Sequence, residues 1–435
     1  MKTPIGYALC LWIVMLGQMV QAQEQLTLEE AKEITLANNF GIKIAMNNVE
    51  IAENLTDRAA NNYLPSVGAS GGLNGDFGSS TQQFSNGLEA NVSNALNWGL
   101  TAGVNADYTI YNEARTITLN QLQESLNSSN LVLRQTIEQN LLQVYISYYQ
   151  VSQLSENIEV LKETINISKE RLRRAQTASQ LGQGSGLDIL NAEVDIQNDS
   201  VTILTALIDL DTEKRNLNVA MGRDANTRFS IVAAKDLESF ETIDVLISRA
   251  KKDNTTLLLN RQNLRVSELN VDLIDAESRP VINSGLSYDY AFSDNAVGSF
   301  VEQSNSRGLS GNIGLAWTIF DASRSIRRQN SVLDLNNQKL QIDQFEQEIE
   351  RDIINAWDAY QNALFIIDVQ KSAVATNEEN FKRTEERYKS GQVTSIEFRQ
   401  AQLNLINARV NLTNALYSVK LREVSIKQLV GDLMD

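Results

Sequence analysis

The chain has 435 residues, with 54 acidic and 38 basic side chains and a formal net charge of −16. It contains no histidine and one cysteine, Cys10, which excludes a Ser-His-Asp triad, a Cys-His dyad and a His/Cys site for zinc or haem. The acidic balance argues against a nucleic-acid binder, because contact with phosphate needs basic surface.

Residues 1–22 are typical of a secretory signal peptide. Lys2 supplies the initial positive charge, an apolar run extends from Ile5 to Val20, and Ala22 ends a small-residue cleavage site. The alternative, an uncleaved membrane anchor, is disfavoured because the run is short for a spanning helix. No later stretch approaches roughly 18 apolar residues. If the mature chain crosses a bilayer, we therefore expect it to do so as a β-barrel.

Matched residues recur along the chain and predict an internal duplication. Pro65 and Pro280 are 215 residues apart. The motif Tyr-Thr-Ile-Tyr-Asn-x-x-Arg at 108–115 recurs as Trp-Thr-Ile-Phe-Asp-x-x-Arg at 317–324, now with a spacing of 209. The spacing changes by six residues between Pro65 and Tyr108, in a segment that we interpret as a loop, where length changes are tolerated.

Each predicted repeat contains a helical segment, a β-hairpin, a very long helix and a shorter return helix. Repeat 1 (23–222) comprises helices 27–64, a hairpin 66–111, a long helix 113–181 and a return helix 187–220. An equatorial linker (223–240) leads to repeat 2 (241–435), which comprises helices 243–279, a hairpin 281–320, a long helix 322–390, a return helix 396–429 and a C-terminal tail.

The first helical segment of each repeat leads to a proline. Thr27 and Glu30 have the spacing of a capping box, and we expect a break near Asn39. Pro65 and Pro280 are expected to end their helices, because the residue before a proline is displaced from the α region.

The hairpins alternate apolar and polar residues, as strands with two unlike faces do. We expect four strands of about eleven residues, joined by polar loops at 78–95 and 293–308. Four strands cannot close a barrel, which needs about eight, and an open sheet leaves two edges free to pair. One layer of a soluble sandwich would show the same alternation.

A barrel shared among several chains would cover both edges. Its apolar face would meet lipid, with aromatic residues near the rims. The aromatic belt is expected to include Trp98, Tyr108, Tyr111, Trp317 and Phe320.

The segments 113–181 and 322–390 contain neither proline nor glycine. Each would be roughly 100 Å long as one α-helix. Apolar residues recur every seven positions from Ile137 to Leu172 and from Ile353 to Tyr388, which predicts supercoiling against partner helices. A glycine turn follows each long helix and precedes its return helix.

The duplicated order of elements, the junction motif at 317–324 and the turn Tyr388-x-x-Gly391 with Ala401 behind it resemble the outer-membrane efflux protein family, the TolC-like channel-tunnels. The resemblance covers essentially the whole mature chain. It implies an α+β membrane protein in which three copies share a 12-stranded β-barrel in the outer membrane. The long coiled-coil helices would form an α-barrel in the periplasm.

The resemblance also implies a function and partners. The trimer would be the passive exit duct of a tripartite efflux pump or a type I secretion system. A periplasmic adaptor (membrane fusion) protein would dock on it and connect it to an inner-membrane transporter.

The same resemblance assigns candidate site residues. The periplasmic tip turns, where the adaptor would dock, contain Gly182, Gln183, Ser185, Gly391, Gln392 and Thr394. The residues at the pore gate would be Asp188, Asn191, Glu397 and Gln400. The strand–helix junctions contain Pro65, Pro280, Arg115 and Arg324.

The gate departs from the family pattern in two ways. One acid of each pair is an amide here, at Asn191 and Gln400, and Val393 stands where a basic partner occurs. The alternative for Asp188 and Glu397 is an ordinary charge in the first turn of a helix, which the helix dipole favours.

Two other classes of function explain the sequence less well. An exported periplasmic coiled-coil adaptor or scaffold without a pore would explain the heptads but not the two hairpins. The sequence has no Gly-Lys-Ser phosphate loop and no G-x-S-x-G elbow, so we expect no enzyme activity, no catalytic residue, no cofactor and no metal.

Overall fold

The computed structural model describes residues 24–182, 184–295 and 301–434, so the predicted signal peptide and Gln183 lie outside the described residues. The chain is rich in helix and has few strands. In chain order the elements are β1 (Glu24–Leu26), α1 (Leu28–Asn38), α2 (Phe40–Leu55), β2 (Ser66–Gln83), β3 (Glu89–Tyr111), α3 (Glu113–Gln180), α4 (Gly186–Ala220), β4 (Phe229–Ile231), α5 (Ile243–Asp253), α6 (Thr255–Ala276), β5 (Val281–Asp294), β6 (Gln303–Ala316), α7 (Ala322–Lys389) and α8 (Ser395–Val430).

The chain divides into two compact units. The first contains the described residues up to Met46, Leu131–Leu258 and the residues from Asp343 onward. The second contains Asn47–Asn130 and Leu259–Ile342. None of the helices in the described ranges is both long and apolar enough to cross a membrane.

The second unit holds a four-stranded antiparallel sheet in the order β2-β3-β5-β6. One face is apolar and exposed, and directly paired residues such as Leu73 and Leu100, or Val104 and Tyr288, lie on it. On the other face polar side chains bond to one another, as Thr109 does to Asn283 at 2.9 Å. The predicted alternation is therefore present as two chemically distinct faces.

The strands are longer than the sequence analysis predicted. The segment 78–95 was expected to be a loop, but Gly78 pairs with Ala95 and Gln83 with Glu89. The second predicted loop is also shorter, because Ser293 pairs with Ser304. Sheet pairing uses backbone groups, so polar side chains do not prevent it. A register shift between Gly78 and Ser80 accommodates the irregular stretch.

The end of the second hairpin was also predicted wrongly. In β3 the motif residues Tyr108 to Tyr111 are strand, whereas β6 stops at Ala316 and residues 317–320 are not strand. The reason is pairing: β3 has β5 beside it, but β6 is the last strand of the sheet. Ala316 already pairs with Val281, the first residue of β5, so residues 317–320 have no strand beside them in this sheet.

Neither proline ends a helix, which corrects that prediction. α2 stops at Leu55 and α6 at Ala276. After α2, the Asn61 side-chain amide donates to the carbonyl of Leu55 at 2.7 Å and satisfies a group that the helix leaves free. Pro65 and Pro280 instead directly precede β2 and β5.

The strand–helix junctions are held by the two predicted arginines. The Arg115 guanidinium donates to the carbonyls of Asn62 (2.7 Å) and Thr109 (3.0 Å) and lies over the Tyr63 ring. Arg324 donates to the carbonyl of Thr318 at 3.2 Å. In both cases the accepting threonine lies six residues before the arginine.

The first unit packs its helices through the predicted seven-residue repeat. Val144 and Val151 are fully buried, Ile158 is 2% exposed and Ile353 is 1% exposed. The buried Tyr148 hydroxyl lies 2.5 Å from the carbonyl of Val232 and 3.2 Å from that of Leu26, at the short parallel pair β1–β4. Burial raises the pKa of Tyr148 to about 12, so the hydroxyl stays neutral and can donate. The sequence analysis did not predict β1 or β4.

A single asparagine separates α1 from α2, as expected near Asn39, and another separates α5 from α6. The Asn39 amide donates to the carbonyl of Ala220 at 2.8 Å, and its side-chain oxygen accepts from the Ile42 N–H. Asn254 donates to the carbonyl of Leu429 at 3.0 Å and accepts from the Leu257 N–H. These side chains replace backbone hydrogen bonds that the break removes.

Two glycines complete these breaks. Gly222 and Gly431 follow the return helices with φ of +72° and +79°. A Cβ atom on Gly222 would lie 2.6 Å from the carbonyl oxygen of Asn38, and one on Gly431 would lie 2.5 Å from that of Asp253. Each return helix therefore ends against the break between two other helices, at a distance that only glycine allows.

We expect Gly431→Ala to destabilise the first unit by about 3 kcal/mol, from left-handed strain plus displacement of the Asp253 backbone. Gly391→Ala is the matched control, because Gly391 has φ of +72° but nothing within 4 Å of a Cβ atom. Its cost should be about 1 kcal/mol. Denaturant unfolding followed by circular dichroism measures both, and equal losses would contradict the steric contact.

Candidate functional site

The candidate site lies where each long helix turns into its return helix. In the first turn α3 ends at Gln180 and Gly182 has φ of +75°. The Ser185 hydroxyl then caps α4 by accepting from the Leu187 N–H at 3.1 Å. Gly182 and Ser185 are exposed, and Gln183 lies outside the described residues.

The second turn has the stronger cap. α7 ends at Lys389, Gly391 has φ of +72°, and Thr394 and Glu397 form a capping box at the start of α8. The Glu397 carboxylate accepts from the Thr394 N–H at 2.7 Å and from its hydroxyl at 2.9 Å. These hydrogen bonds lower the pKa of Glu397, the backbone one most.

The four predicted gate residues occupy the first turns of the return helices. Asp188 and Asn191 are half-buried on α4, while Glu397 and Gln400 are exposed on α8. The Gln400 side chain donates to Asn404 at 2.8 Å. Among the described residues, no hydrogen bond or ion pair joins any two of these four. The capping box within a single chain is enough to explain the acidic residue at position 397. The Glu397 side chain nevertheless remains exposed.

A cleft of about 700 Å³ lies between the two turns. Its lining includes Leu181, Gly184, Asp188, Gly391, Val393 and Ser395. Ser395 is 8% exposed, and its hydroxyl has no hydrogen-bond partner in the described part of the chain. The cleft thus contains both apolar surface and a free buried hydroxyl.

Beside this cleft is a smaller pocket of about 270 Å³. The Tyr388 and Phe398 rings stack in its wall, with centroids 4.7 Å apart. Arg171 and Glu385 also line it. Tyr388 belongs to the turn motif in the sequence, and here it joins the end of α7 to the start of α8.

A buried ionic cluster, which the sequence analysis missed, connects the helices above the turns. It joins α3 (Arg171), α4 (Asp195 and Asp199) and α8 (Arg399). The Arg399 guanidinium contacts both oxygens of Asp199, at 2.6 and 3.1 Å. Arg171, whose side chain is 1% exposed, pairs with Asp195.

Polar neighbours extend this cluster along α3 and α8. The Ser168 hydroxyl donates to Asp199 at 2.7 Å, and the Gln402 amide donates to the carbonyl of Thr164 at 3.1 Å. A faint signal was present in the sequence: Asp195 and Asp199, four residues apart, fall on the side of α4 that also carries the fully buried Ala192. The arginines that pair with them could not be identified from spacing alone.

Comparison with known proteins identifies the family. A profile of the outer membrane efflux protein family matches residues 32–223 and 246–432. The chain belongs to this family. Its members are channels, so the chain is an efflux channel protein of the outer membrane.

Known relatives align with most of the efflux protein's length. The outer membrane protein TolC of Vibrio cholerae is 20% identical over 351 residues, which is 77% of each chain. TolC of Escherichia coli is 23% identical over 418 residues, which is 89% of this chain and 80% of the relative. The outer membrane channel CmeC of Campylobacter jejuni shares the fold, with a TM-score of 0.74 and 16% identity over 93% of this chain and 85% of that one.

The members of this family are channels rather than enzymes. Within residues 24–182, 184–295 and 301–434, no three acidic or cysteine side chains come close enough to hold a metal ion. The alternative interpretation, a coiled-coil adaptor or scaffold, has no support among these relatives, which are outer-membrane channels.

We expect Asp195→Asn to destabilise the efflux protein by about 3 kcal/mol, because Arg171 would remain buried and charged without its partner. Glu193→Gln, on an exposed position of the same helix, is the matched control and should cost less than about 0.5 kcal/mol. Guanidinium unfolding in detergent measures both. The double variant Arg171→Leu/Asp195→Leu should recover most of the loss. A similar loss in the Glu193 variant would show that the cluster has no special role.

Proposed function

We propose that three copies of this chain assemble into a channel-tunnel that is the passive exit duct of a tripartite efflux pump or a type I secretion system. The three sheets together form one 12-stranded β-barrel in the outer membrane, and the helices form an α-barrel in the periplasm. A periplasmic adaptor docks on the tip turns and connects the duct to an inner-membrane transporter, which supplies the energy.

The sheet of the second unit carries this proposal. Its apolar face is exposed in the single chain, with Leu73 at 74%, Val104 at 51% and Ile313 at 77%. A soluble sandwich would cover such a face with a second sheet, but the described residues place all four long strands in one sheet. Lipid is the solvent that suits an uncovered apolar face of this size.

The positions of the aromatic residues also support contact between the apolar sheet face and lipid. Trp98 and Tyr108 lie ten residues apart on β3, roughly 33 Å along a strand at ~3.3 Å per residue. A strand tilt of about 40° reduces that separation to about 25 Å, the height of the apolar band of an outer-membrane barrel. Trp98 and Tyr108 would then lie at opposite rims. Tyr111, Trp317 and Phe320 would join Tyr108 at the rim next to the helices.

The helices also leave apolar stripes without a partner. On α4 the exposed stripe, 53–66% exposed, lies opposite the side that buries Ala192 and Leu217. Its members follow the spacing of a coiled-coil seam: Leu187, Leu190, Val194, Val201, Leu204 and Ile208. On α7, Ile326, Leu333 and Leu340 form a second exposed stripe at seven-residue spacing. Helices of further copies would cover both.

The internal duplication is supported by contacts that recur in both halves. Asn39 and Asn254, 215 residues apart, donate to the carbonyls of Ala220 and Leu429, which are 209 apart. Gly222 and Gly431, also 209 apart, end against the carbonyls of Asn38 and Asp253. These spacings are the two found in the sequence motifs.

The tip turns are suited to receive an adaptor. Gly182, Ser185, Gly391, Gln392 and Thr394 are all exposed. The cleft between the turns offers apolar surface beside the Ser395 hydroxyl, which has no hydrogen-bond partner among the described residues. A helical hairpin with small and apolar residues at its tip would fit such a surface.

The trimer interface can be tested on α4. Leu204→Asp should abolish assembly, because it places three charges in an apolar seam. Thr202→Asp is the control: it introduces the same charge at an exposed position outside the stripe. Native gel electrophoresis of detergent extracts should show trimers for wild type and the control, and monomers for Leu204→Asp. Intact trimers in the Leu204 variant would exclude this stripe from the interface.

The gate can be tested at Glu397. The lowered pKa keeps this exposed carboxylate ionised, so three copies would form a negative ring that favours cations. Glu397→Gln removes the charge but keeps the capping box, which accepts either side chain. We expect a lower cation preference in planar-bilayer conductance.

Glu30→Gln supplies the matched control for that measurement, since Glu30 makes the same capping box with Thr27 at the start of α1. It should leave ion selectivity unchanged. If both variants retain wild-type selectivity, Glu397 does not line the pore. If both lose selectivity equally, the effect comes from the helix caps rather than from a charge at the gate.

A further inference from the structure

The two outer strands of the sheet have features that the inner strands lack. Apolar residues on β2 and β6 are the more exposed, with Leu73 at 74% and Leu309 at 71%, whereas Leu100 on β3 is 42% exposed and Leu286 on β5 is 53% exposed. β6 also stops short at Ala316, although its sequence continues with the motif that is strand in β3. Both features indicate a missing neighbour along each edge.

We infer that β6 pairs with β2 of a second copy in one defined register, with Asn312 opposite Asn74 and Ile313 opposite Leu73. In this pairing residues 317–320 become strand. The inference rests on the proposed trimer, and it specifies which residues of the second copy complete the sheet.

The ladder between β3 and β5 provides the template. It joins the second strand of repeat 1 to the first strand of repeat 2. A seam between β6 and the next copy's β2 joins the second strand of repeat 2 to the first strand of repeat 1. β6 therefore takes the place of β3, 209 residues earlier, and β2 takes the place of β5, 215 residues later.

Transferring the observed pairs gives the register directly. Gly103 opposite Asp289 becomes Asn312 opposite Asn74. The other transferred pairs are Leu309 with Phe77, Ser310 with Asp76, Ile313 with Leu73, Trp317 with Ala69 and Phe320 with Val67. The last pair follows the register shift between Thr109 and Tyr111, which would recur at the seam.

Side-chain chemistry selects this register over its neighbours. Leu309 meets Phe77 and Ile313 meets Leu73 on the apolar face, while Asn312 meets Asn74 on the polar face. A slip of one residue would place apolar side chains opposite polar ones. A slip of two keeps the faces but places Ile313 opposite Gly71 or Gly75. The inferred register is thus the one that matches large apolar residues with each other.

The same register accounts for residues 317–320. In the single chain they lie beyond the first residue of β5 and have no strand beside them in the sheet. In the seam, β2 of the next copy begins at Ser66 and lies beside them. Trp317 and Phe320 then occupy the positions that Tyr108 and Tyr111 hold on β3.

Disulfide trapping tests the register, because the only cysteine, Cys10, lies in the predicted signal peptide. Asn74→Cys is combined with Asn312→Cys, and in matched controls with Ser310→Cys or Gly314→Cys. Opposite Cβ atoms lie about 4.5–5.5 Å apart, against roughly 7–8 Å for diagonal ones. A second set, Leu73→Cys with Ile313→Cys, samples the other face, where the pair spacing differs.

After copper–phenanthroline oxidation of membranes, we expect covalent trimers on non-reducing gels for the cysteine pair at 74 and 312 or the pair at 73 and 313. The yield of covalent trimer should be at least tenfold higher than for the control pairs at 74 and 310 or at 74 and 314. Single-cysteine variants should give none. Ala69→Cys with Trp317→Cys should cross-link as well, and its failure beside a successful 74/312 pair would overturn the extension to 317–320.

The outcomes separate the inference from the proposed function. Stronger cross-linking of 74/310 or 74/314 would overturn the register while keeping the trimer. No cross-link in any pair, with trimers intact on native gels, would show that β6 and β2 do not pair. Monomers on native gels without any cysteine substitution would instead contradict the proposed function itself.

Discussion

The structure depends on surfaces that one chain cannot cover by itself. The four-stranded sheet has an exposed apolar face and two open edges, and α4 and α7 each carry an exposed apolar stripe. Exposed apolar area of this extent is unfavourable in water, and unpaired strand edges invite association. In the proposed trimer, lipid and further copies of the same chain would remove these costs together. Closing the three sheets into one barrel would also create a water-filled interior, which is what a duct requires.

Within one chain, polar groups rather than apolar packing determine where the helices stop and turn. Asn39 and Asn254 replace lost backbone hydrogen bonds at the two helix breaks. The capping box of Thr394 and Glu397 begins α8 after the tip turn. The buried cluster of Arg171, Asp195 and Arg399 then holds three helices together close to that turn. Charged groups are costly to bury unless they are paired, so separating these helices would leave Arg171 without its partner.

The sequence predicts the helices much better than the strands. The long helix predicted at 113–181 spans Glu113–Gln180, because an unbroken heptad pattern without glycine or proline is a local signal. Strand length depends on the neighbour instead. The segment 78–95 is predicted as a loop, but residues 78–83 and 89–95 belong to paired strands. Residues 317–320 are predicted as strand, but no strand of the described residues lies beside them in the sheet. The pairing of Arg171 with Asp195 was equally invisible, because it joins residues on different helices. The gate residues stay a prediction from the resemblance, whereas the hydrogen bonds of Glu397 to Thr394 are seen in the structure.

The number of chains in the native particle shows whether these surfaces are shared between copies. The mature protein would be extracted from membranes in a mild detergent and its mass determined by native mass spectrometry after removal of the micelle. We expect three copies and no detectable protein in the detergent-free fraction. A single copy that stays in solution without detergent would contradict this expectation, because the apolar sheet face and helix stripes would then need no partner.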